Sequence, residues 1–473
     1  MAHQVEQLPF WKKIMYALGQ FGWSLCSFGI ANLIVYFYLP PDEPGRTAIF
    51  PQFIFQEKVV WILTIIGLIF AFGRLWDAVT DPIIATASDR SKFRLGKRRT
   101  FLLIGSFPAA LFSFLAFYPV SESFTTNALW LWLCVFVFYL FLTIYVTPFF
   151  AWMSELGHSP NERLQLSTMI SITWALGAAV GSQAPQLQTI FEGSGLSSVQ
   201  AFQKAIAIFA AVSFVLMLLP VIFINEQRYC EMNVSSEGVI KALTSAFRNR
   251  NFLLFTLSDL TYWVALTFIS TGLVYYVTVL LKLPKEFYSQ LFIVLFGLSF
   301  IFYVPVNLIA KRIGKKKLLI LGFIIFAVTF ILVFPMGNMP ISPHAQGFLI
   351  VAVAAIPMAI FGILPNAIIA DIAEADGIKT GNFKAGIFFG ARTFMSKMGQ
   401  TIAALTFPSF IIIGAMGPDH PVGELGVRLT GIAALVFVAL GLVLFLKYNE
   451  KEVLKTLATR EKLSEEEMKD LRE

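Results

Sequence analysis

Twelve stretches of this chain run for roughly 20 residues or more and are mostly apolar, and this recurrence constrains the fold more than any other feature. They cover 11–38, 58–86, 99–118, 127–154, 164–188 and 203–224, then 252–281, 287–310, 316–334, 346–372, 386–414 and 427–447. A segment of that length can cross a bilayer only as a helix, because hydrocarbon offers its backbone N–H and C=O groups no other partner. Composition agrees: hydrophobic residues make up 57% and charged residues 14%, against about 25% charged in a soluble domain. A soluble multidomain enzyme, a disordered chain and a disulfide scaffold are excluded. Cys26, Cys134 and Cys230 are odd in number and lack metal-ligand spacing. The first stretch, Trp11 to Tyr38, is too long for a signal-peptide core and no small-residue cleavage site follows it.

Lysine and arginine fall on alternate loops. One side of the predicted membrane carries 27 of them and the other 5, with Lys58, Arg74, Arg392 and Lys397 in or at the ends of helices. The basic side is expected to be cytoplasmic and to hold both termini, which requires an even number of spans. This distribution also accounts for the net charge of +7 without a nucleic-acid partner.

The loop after the second stretch reads ASDRSKFRLGKRR (87–99) and that after the eighth reads AKRIGKKK (310–317). SELGHSPNER (154–163) and ADIAEADGIKTG (370–381) also correspond, after the fourth and the tenth. Basic loops alone are common to membrane proteins; a Gly-Lys spacing repeated at matching places points to duplication. The expected organisation is an N-terminal six-helix bundle (1–224), a cytoplasmic linker (225–251), a C-terminal six-helix bundle (252–448) and a cytoplasmic tail (449–473). The fold class is an all-α polytopic membrane protein of twelve transmembrane helices in two six-helix bundles, with a solute site between them.

Charge inside a membrane costs roughly a few kcal/mol or more and needs a reason. The second stretch carries Arg74, Asp77 and Asp81. The two carboxylates are i and i+4 and share a helix face, with Arg74 one turn earlier. Two carboxylates with the neighbouring Thr80 hydroxyl make a hard-oxygen site suited to Na⁺, or alternatively to H⁺ exchange. A purely structural Arg–Asp cluster would use one aspartate and leave the other unexplained. Lys397 is a movable cation for these carboxylates or a structural ion pair between the halves. Asp259 is either a cavity-facing solute contact or a helix cap, and Arg392 has no assigned role beyond snorkelling towards the basic side.

GRLWDAVTDPIIATASDRSKFRLGKRR (73–99) resembles the signature of the glycoside–pentoside–hexuronide cation symporters of the major facilitator superfamily. TPFFAWMSEL (147–156) and ADIAEADGIKTG with Lys397 resemble two further segments of that family, and the likeness covers nearly the whole chain. The resemblance implies the major facilitator fold, with Asp77 and Asp81 as ligands of the coupling cation (the metal ligands here), Thr143 beside them and Lys397 close by. Thr80 stands where the family more often has Asn. It implies coupling roles for Lys397 and Arg74.

In the family's melibiose-transporting members, three charged side chains contact the sugar; the matching places here are Ser24, Val146 and Ser171. Galactoside specificity does not carry over. With Trp152 and Tyr262 as aromatic platforms, these residues are the expected solute contacts; for any one aromatic, lipid contact is the plainer role. Asp89, Arg90, Arg98, Glu155, Arg163, Asp371 and Glu374 match the family's cytoplasmic loop motifs, and together are expected to gate that side by breakable ion pairs; single solvated charges are the plainer alternative.

The expected function is Na⁺-coupled (alternatively H⁺-coupled) symport of a sugar, glycoside or hexuronide across the cell membrane, the inner membrane in a Gram-negative source. The expected partners are the solute, the coupling cation and membrane lipid, and the expected assembly is a monomer. Vertebrate lysolipid symporters resemble the same family, so a lysolipid or other amphiphile is the alternative solute. A membrane enzyme is disfavoured: His3, His158, His344 and His420 are not at ligand spacing, and no GxxxxGK[ST], HExxH or GxSxG is present. A non-transporting receptor leaves the paired intramembrane carboxylates unexplained.

Overall fold

The computed structural model describes residues 6–41, 49–56, 58–60, 63–91, 93–157, 160–230, 246–380, 385–416 and 420–458. Among them are twelve long helices, α1 (Phe10–Tyr38), α2 (Ile65–Arg90), α3 (Lys97–Leu115), α4 (Phe124–Leu156), α5 (Pro160–Gly181) and α6 (Ser198–Phe223), then α7 (Arg250–Leu280), α8 (Glu286–Ile313), α9 (Lys315–Val333), α10 (Pro343–Thr380), α11 (Ala385–Ile411) and α12 (Glu424–Leu446). Eight of them are long and apolar enough to cross a membrane on composition alone. The other four are α2, α3, α5 and α11. Of these, α2 and α11 carry Arg74, Asp77, Asp81, Arg392 and Lys397, and α3 opens on three basic residues.

The expected second span begins too early. Residues 58–64 form a small antiparallel hairpin, β1 (Lys58–Val60) with β2 (Leu63–Thr64), and the helix starts at Ile65. The β-branched Val59, Val60 and Thr64 suit a strand, and Thr64 then caps α2 by accepting the Gly67 N–H. The expected fifth span ends at Gly181 and gives way to a separate short helix, Ala184–Glu192.

Duplication is written into the packing. In the first half the principal contacts are α1 with α5 and α6, α2 with α4, and α3 with α4 and α6. In the second half they are α7 with α11 and α12, α8 with α10, and α9 with α10 and α12, the same five pairings with six added to each number. The halves meet through α2 and α11, and by the symmetry-related pair α5 and α8.

The repeated Gly-Lys loops have one conformation. Gly96 (φ 117°) and Gly314 (φ 90°) lie in the left-handed region and turn the chain sharply into α3 and α9. Each helix start is then capped by a distant carboxylate. Glu226 accepts the Arg98 and Arg99 backbone N–H groups, both at 2.9 Å, and Glu450 accepts that of Lys316 at 2.9 Å. A carboxylate satisfies the orphan donors there and complements the helix dipole. Asn225-Glu226 and Asn449-Glu450 are a further matching pair, each just past the last helix of its half. The proposed linker falls largely outside the described residues, and the tail is helical over 450–458.

Candidate functional site

Three helices converge on the ionisable cluster. α2 presents Asp77 and Asp81 one turn apart, α4 supplies Thr143 and Thr147, and α11 supplies Lys397 from the other half. The Lys397 ammonium lies 2.9 Å from Asp77 Oδ2 and 2.5 Å from Asp81 Oδ2. Thr143 donates to Asp77 Oδ1 at 2.6 Å and Thr147 to Asp81 Oδ1 at 3.0 Å. Each carboxylate therefore holds one hydroxyl on one oxygen and shares the ammonium on the other. Asp77 is 5% exposed and Lys397 keeps 17% of its side-chain surface, so the pair is buried while Lys397 retains a route out. The oxygens of two carboxylates around one positive charge suit a monovalent hard cation, and here the ammonium stands where such an ion would sit.

The other residues expected at this site lie differently. Thr80 turns its hydroxyl to the Trp76 and Asp77 carbonyls, at 2.9 and 3.1 Å, and meets Thr143 only at 3.4 Å. It braces the helix one layer behind the carboxylates. Arg74 makes no ion pair with them among the described residues. Its guanidinium lies over the Tyr139 ring, 5.0 Å from the centroid, and borders a chamber of about 20 Å³ that it shares with Thr267, Thr271 and Gln400. Thr147 was not expected from sequence; its i+4 spacing from Thr143 mirrors that of the two aspartates and was the available signal.

The expected solute contacts do not form one surface. Ser24 is 3% exposed and donates to the Trp174 carbonyl at 2.7 Å, where α1 packs on α5. Trp152 is fully buried, edge-on to Tyr16. Tyr262 is buried and stacked on Phe361 with centroids 4.1 Å apart. Val146 is partly buried against the core, and Ser171 is exposed on α5. Ser24, Trp152 and Tyr262 fill helix interfaces, which the length of an aligned motif cannot reveal.

A second intramembrane cluster links α7, α10 and α11. Arg392 donates from Nε to Asp259 Oδ2 at 2.8 Å, from Nη2 to Asp259 Oδ1 at 3.2 Å, and from Nη1 to Asn366 Oδ1 at 2.6 Å. Asp259 is thus neither a helix cap nor a lone charge, and Arg392 does not snorkel. The two lie 133 residues apart, and no local spacing announces them.

Three of the expected gate residues, Arg98, Glu155 and Asp371, form ion pairs within their own halves. Glu155 holds Arg98 at 2.8 Å and Lys97 at 2.9 Å, all within the first half, and Asp371 holds Lys315 at 2.6 Å within the second. Arg90 and Glu374 are exposed. The side chains of Asp89 and Arg163 lie outside the described residues. Apart from the Lys397 pairs, hydrogen bonds and ion pairs between described residues of the two halves lie on the face opposite the basic loops. There Lys285 meets Glu192 at 3.4 Å, Glu286 accepts from Thr189, Ser289 donates to the Ser182 carbonyl at 2.7 Å and Tyr275 to the Leu39 carbonyl at 2.8 Å. Burial raises the Glu192 carboxyl, but hydrogen bonds from Ser198 and Gln188 and the Lys285 charge outweigh it and hold the group below the usual carboxylate range.

A duplicated helical fold with paired charges bridging its halves now meets an independent comparison: the model of the MFS/sugar transport protein family matches residues 15–449. The chain belongs to that family. An isoprimeverose transporter of Lactiplantibacillus pentosus is 25% identical over 329 residues, 68% of this chain and 64% of that one. The chain thus spans a little under two thirds of that relative. A putative glycoside/cation symporter, YagG, of Escherichia coli is 30% identical over 234 residues, 48% of this chain and 45% of that one. The crystal structure of the nucleoside transporter NupG superposes with a TM-score of 0.64 at 11% identity, covering 93% of this chain and 100% of that one. That likeness is one of fold: this MFS family member is an all-α polytopic membrane protein.

Proposed function

We propose that the chain is a cation-coupled symporter of a small, hydrophilic, glycoside-type solute, with Na⁺ as the coupling ion, working by alternating access in the cell membrane with its basic face cytoplasmic. The observation that carries this reading is the Lys397 ammonium shared between Asp77 and Asp81 across the two halves. An incoming monovalent cation carries the same charge as the ammonium and is offered the same oxygens. Once it occupies them, Lys397 is no longer needed to balance the buried Asp77 and the partly buried Asp81, and the tie between the halves loosens. Cation binding then shifts the conformational population by its differential affinity for the two states. Two carboxylates and the Thr143 and Thr147 hydroxyls offer hard oxygen ligands only, which suits Na⁺. The family and the names of the relatives support a sugar-type solute.

Purified protein in proteoliposomes tests this. A Na⁺ gradient is expected to drive accumulation of a radiolabelled sugar or glycoside from a panel, and a pH gradient alone is not. Uptake that follows the proton gradient and ignores Na⁺ would reassign the ion. Reporter fusions after Asn449 are expected to be cytoplasmic; an external reporter would invert the topology.

A further inference from the structure

We propose that the Arg392–Asp259–Asn366 cluster is a solute subsite for a negatively charged group, so that the transported solute is a monoanionic sugar acid rather than a neutral glycoside. This deepens the symport reading above and rests on it.

The first ground is charge balance. α2, α11 and α7 pack in succession, and away from their ends they carry Arg74, Arg392 and Lys397 against Asp77, Asp81 and Asp259. The set sums to zero. One bound Na⁺ makes it +1, and a neutral sugar leaves that charge uncompensated in a low-dielectric setting, where it is expensive. A monoanion restores neutrality.

The second ground is donor count. A guanidinium has five N–H groups. Asp259 takes one on Nε and one on Nη2, and Asn366 takes one on Nη1. One donor remains on each terminal nitrogen with no bond to a described residue. Such a pair of donors matches a carboxylate or sulfonate held by two parallel hydrogen bonds.

The third ground is access. Asp259 keeps 1% of its side-chain surface and Arg392 keeps 13%, while Asn366 is exposed. Asp259 therefore acts as an internal counter-ion that keeps Arg392 oriented without solute, and the guanidinium edge stays reachable. The other intramembrane guanidinium, Arg74, opens on a chamber of about 20 Å³, room for a water and not for a sugar. Arg392 also lies five residues before Lys397 on the same helix, about 7.5 Å along its axis. Anion and cation would thus act on one element.

The test compares D-glucuronate and D-galacturonate with D-glucose and D-galactose by calorimetric titration of the purified protein, in Na⁺ and in choline. At least one acid is expected to bind in Na⁺ about tenfold or more tightly than its neutral partner, the scale of one charge-assisted hydrogen bond. The double variant Asp259→Asn/Arg392→Gln keeps the charge sum and removes the guanidinium. It is expected to lose most of that preference while Na⁺ binding, read separately, persists. If no acid outbinds its neutral partner, or if the double variant keeps the preference, the subsite is overturned. A neutral hexose that binds only in Na⁺ while the acids do not would overturn it and leave symport standing. Acid preference indifferent to Na⁺ would end the symport reading and the charge balance with it.

Discussion

Lys397 Nζ lies 2.9 Å from Asp77 Oδ2, and this bond ties α11 of the second bundle to α2 of the first. With Asp81 also in reach at 2.5 Å, the ammonium closes a three-charge cluster with a net charge of −1. Arg74, one turn before Asp77 on α2, brings the formal charge of the neighbourhood to zero, so an arriving cation would take these oxygens in place of the ammonium. The same bond that holds the halves together therefore sits at the place where a coupling ion would act.

The hydroxyls on α4 orient the carboxylates. Thr143→Val and Thr147→Val are each expected to weaken Na⁺ binding by roughly tenfold, the usual effect of removing a partner of a ligating group. Thr80→Val, whose hydroxyl is bonded to backbone carbonyls, is expected to change it little. Sodium titration of tryptophan fluorescence in the three variants checks the order; a Thr80 effect as large as the others would reject it.

Lys397→Ala leaves the buried Asp77 and the partly buried Asp81 without their cation. The variant is expected to be less stable without Na⁺ and to gain more in Tm from Na⁺ than the wild type, since the ion no longer displaces an ammonium. Solute affinity is expected to become independent of Na⁺. Thermal unfolding with and without Na⁺, paired with solute titration, reads both. A retained Na⁺ effect on solute affinity would make Lys397 a structural residue only.

The Lys285–Glu192 contact, on the face opposite the basic loops, is expected to act as a latch with a pH signature. The Glu192 carboxyl is held below its usual range, so its contribution is fully present above the ordinary glutamate value near 4.3 and is lost as pH falls through the lowered one. The far-face distance between spin labels at Ser194→Cys and Met416→Cys is expected to be the same at pH 7 and pH 5 and to lengthen below about pH 4. The native cysteines are buried, which keeps labelling specific. A transition centred near neutral pH would assign the latch to another group.

Helix packing predicts a contrast between two glycines. A Cβ on Gly105 would meet the Phe141 carbonyl oxygen and the Tyr145 nitrogen at 2.8 Å, both backbone, whereas one on Gly297 would meet nothing within 4 Å. Gly105→Ala is expected to destabilise by about 1–3 kcal/mol, and Gly297→Ala to leave Tm unchanged or raise it slightly. Parallel thermal melts in detergent decide it.

Much of this molecule is legible in its residues. The apolar stretches, the basic loops and the Asp77–Asp81 spacing follow from what a bilayer demands of any chain that crosses it: satisfied backbone, charge outside, and charge inside only with a function. The paired turns at Gly96 and Gly314 are legible as a repeat, and Asn225-Glu226 with Asn449-Glu450 is a second, shorter one past each bundle.

Partners are another matter. Asp259 and Arg392, Thr147 and Asp81, and Lys285 and Glu192 lie 133, 66 and 93 residues apart, and only the rotation of one helix against the next brings them within bonding distance. Ser24 shows the converse: its place in the sequence suggests a cavity, but the close approach of α1 to α5 seals it against Trp174. A sequence determines which residues a membrane tolerates on each helix, because that is a property of the residue and its solvent. Which of them meet is decided by helix packing, because the angle and depth of each crossing depend on every side chain in the interface at once.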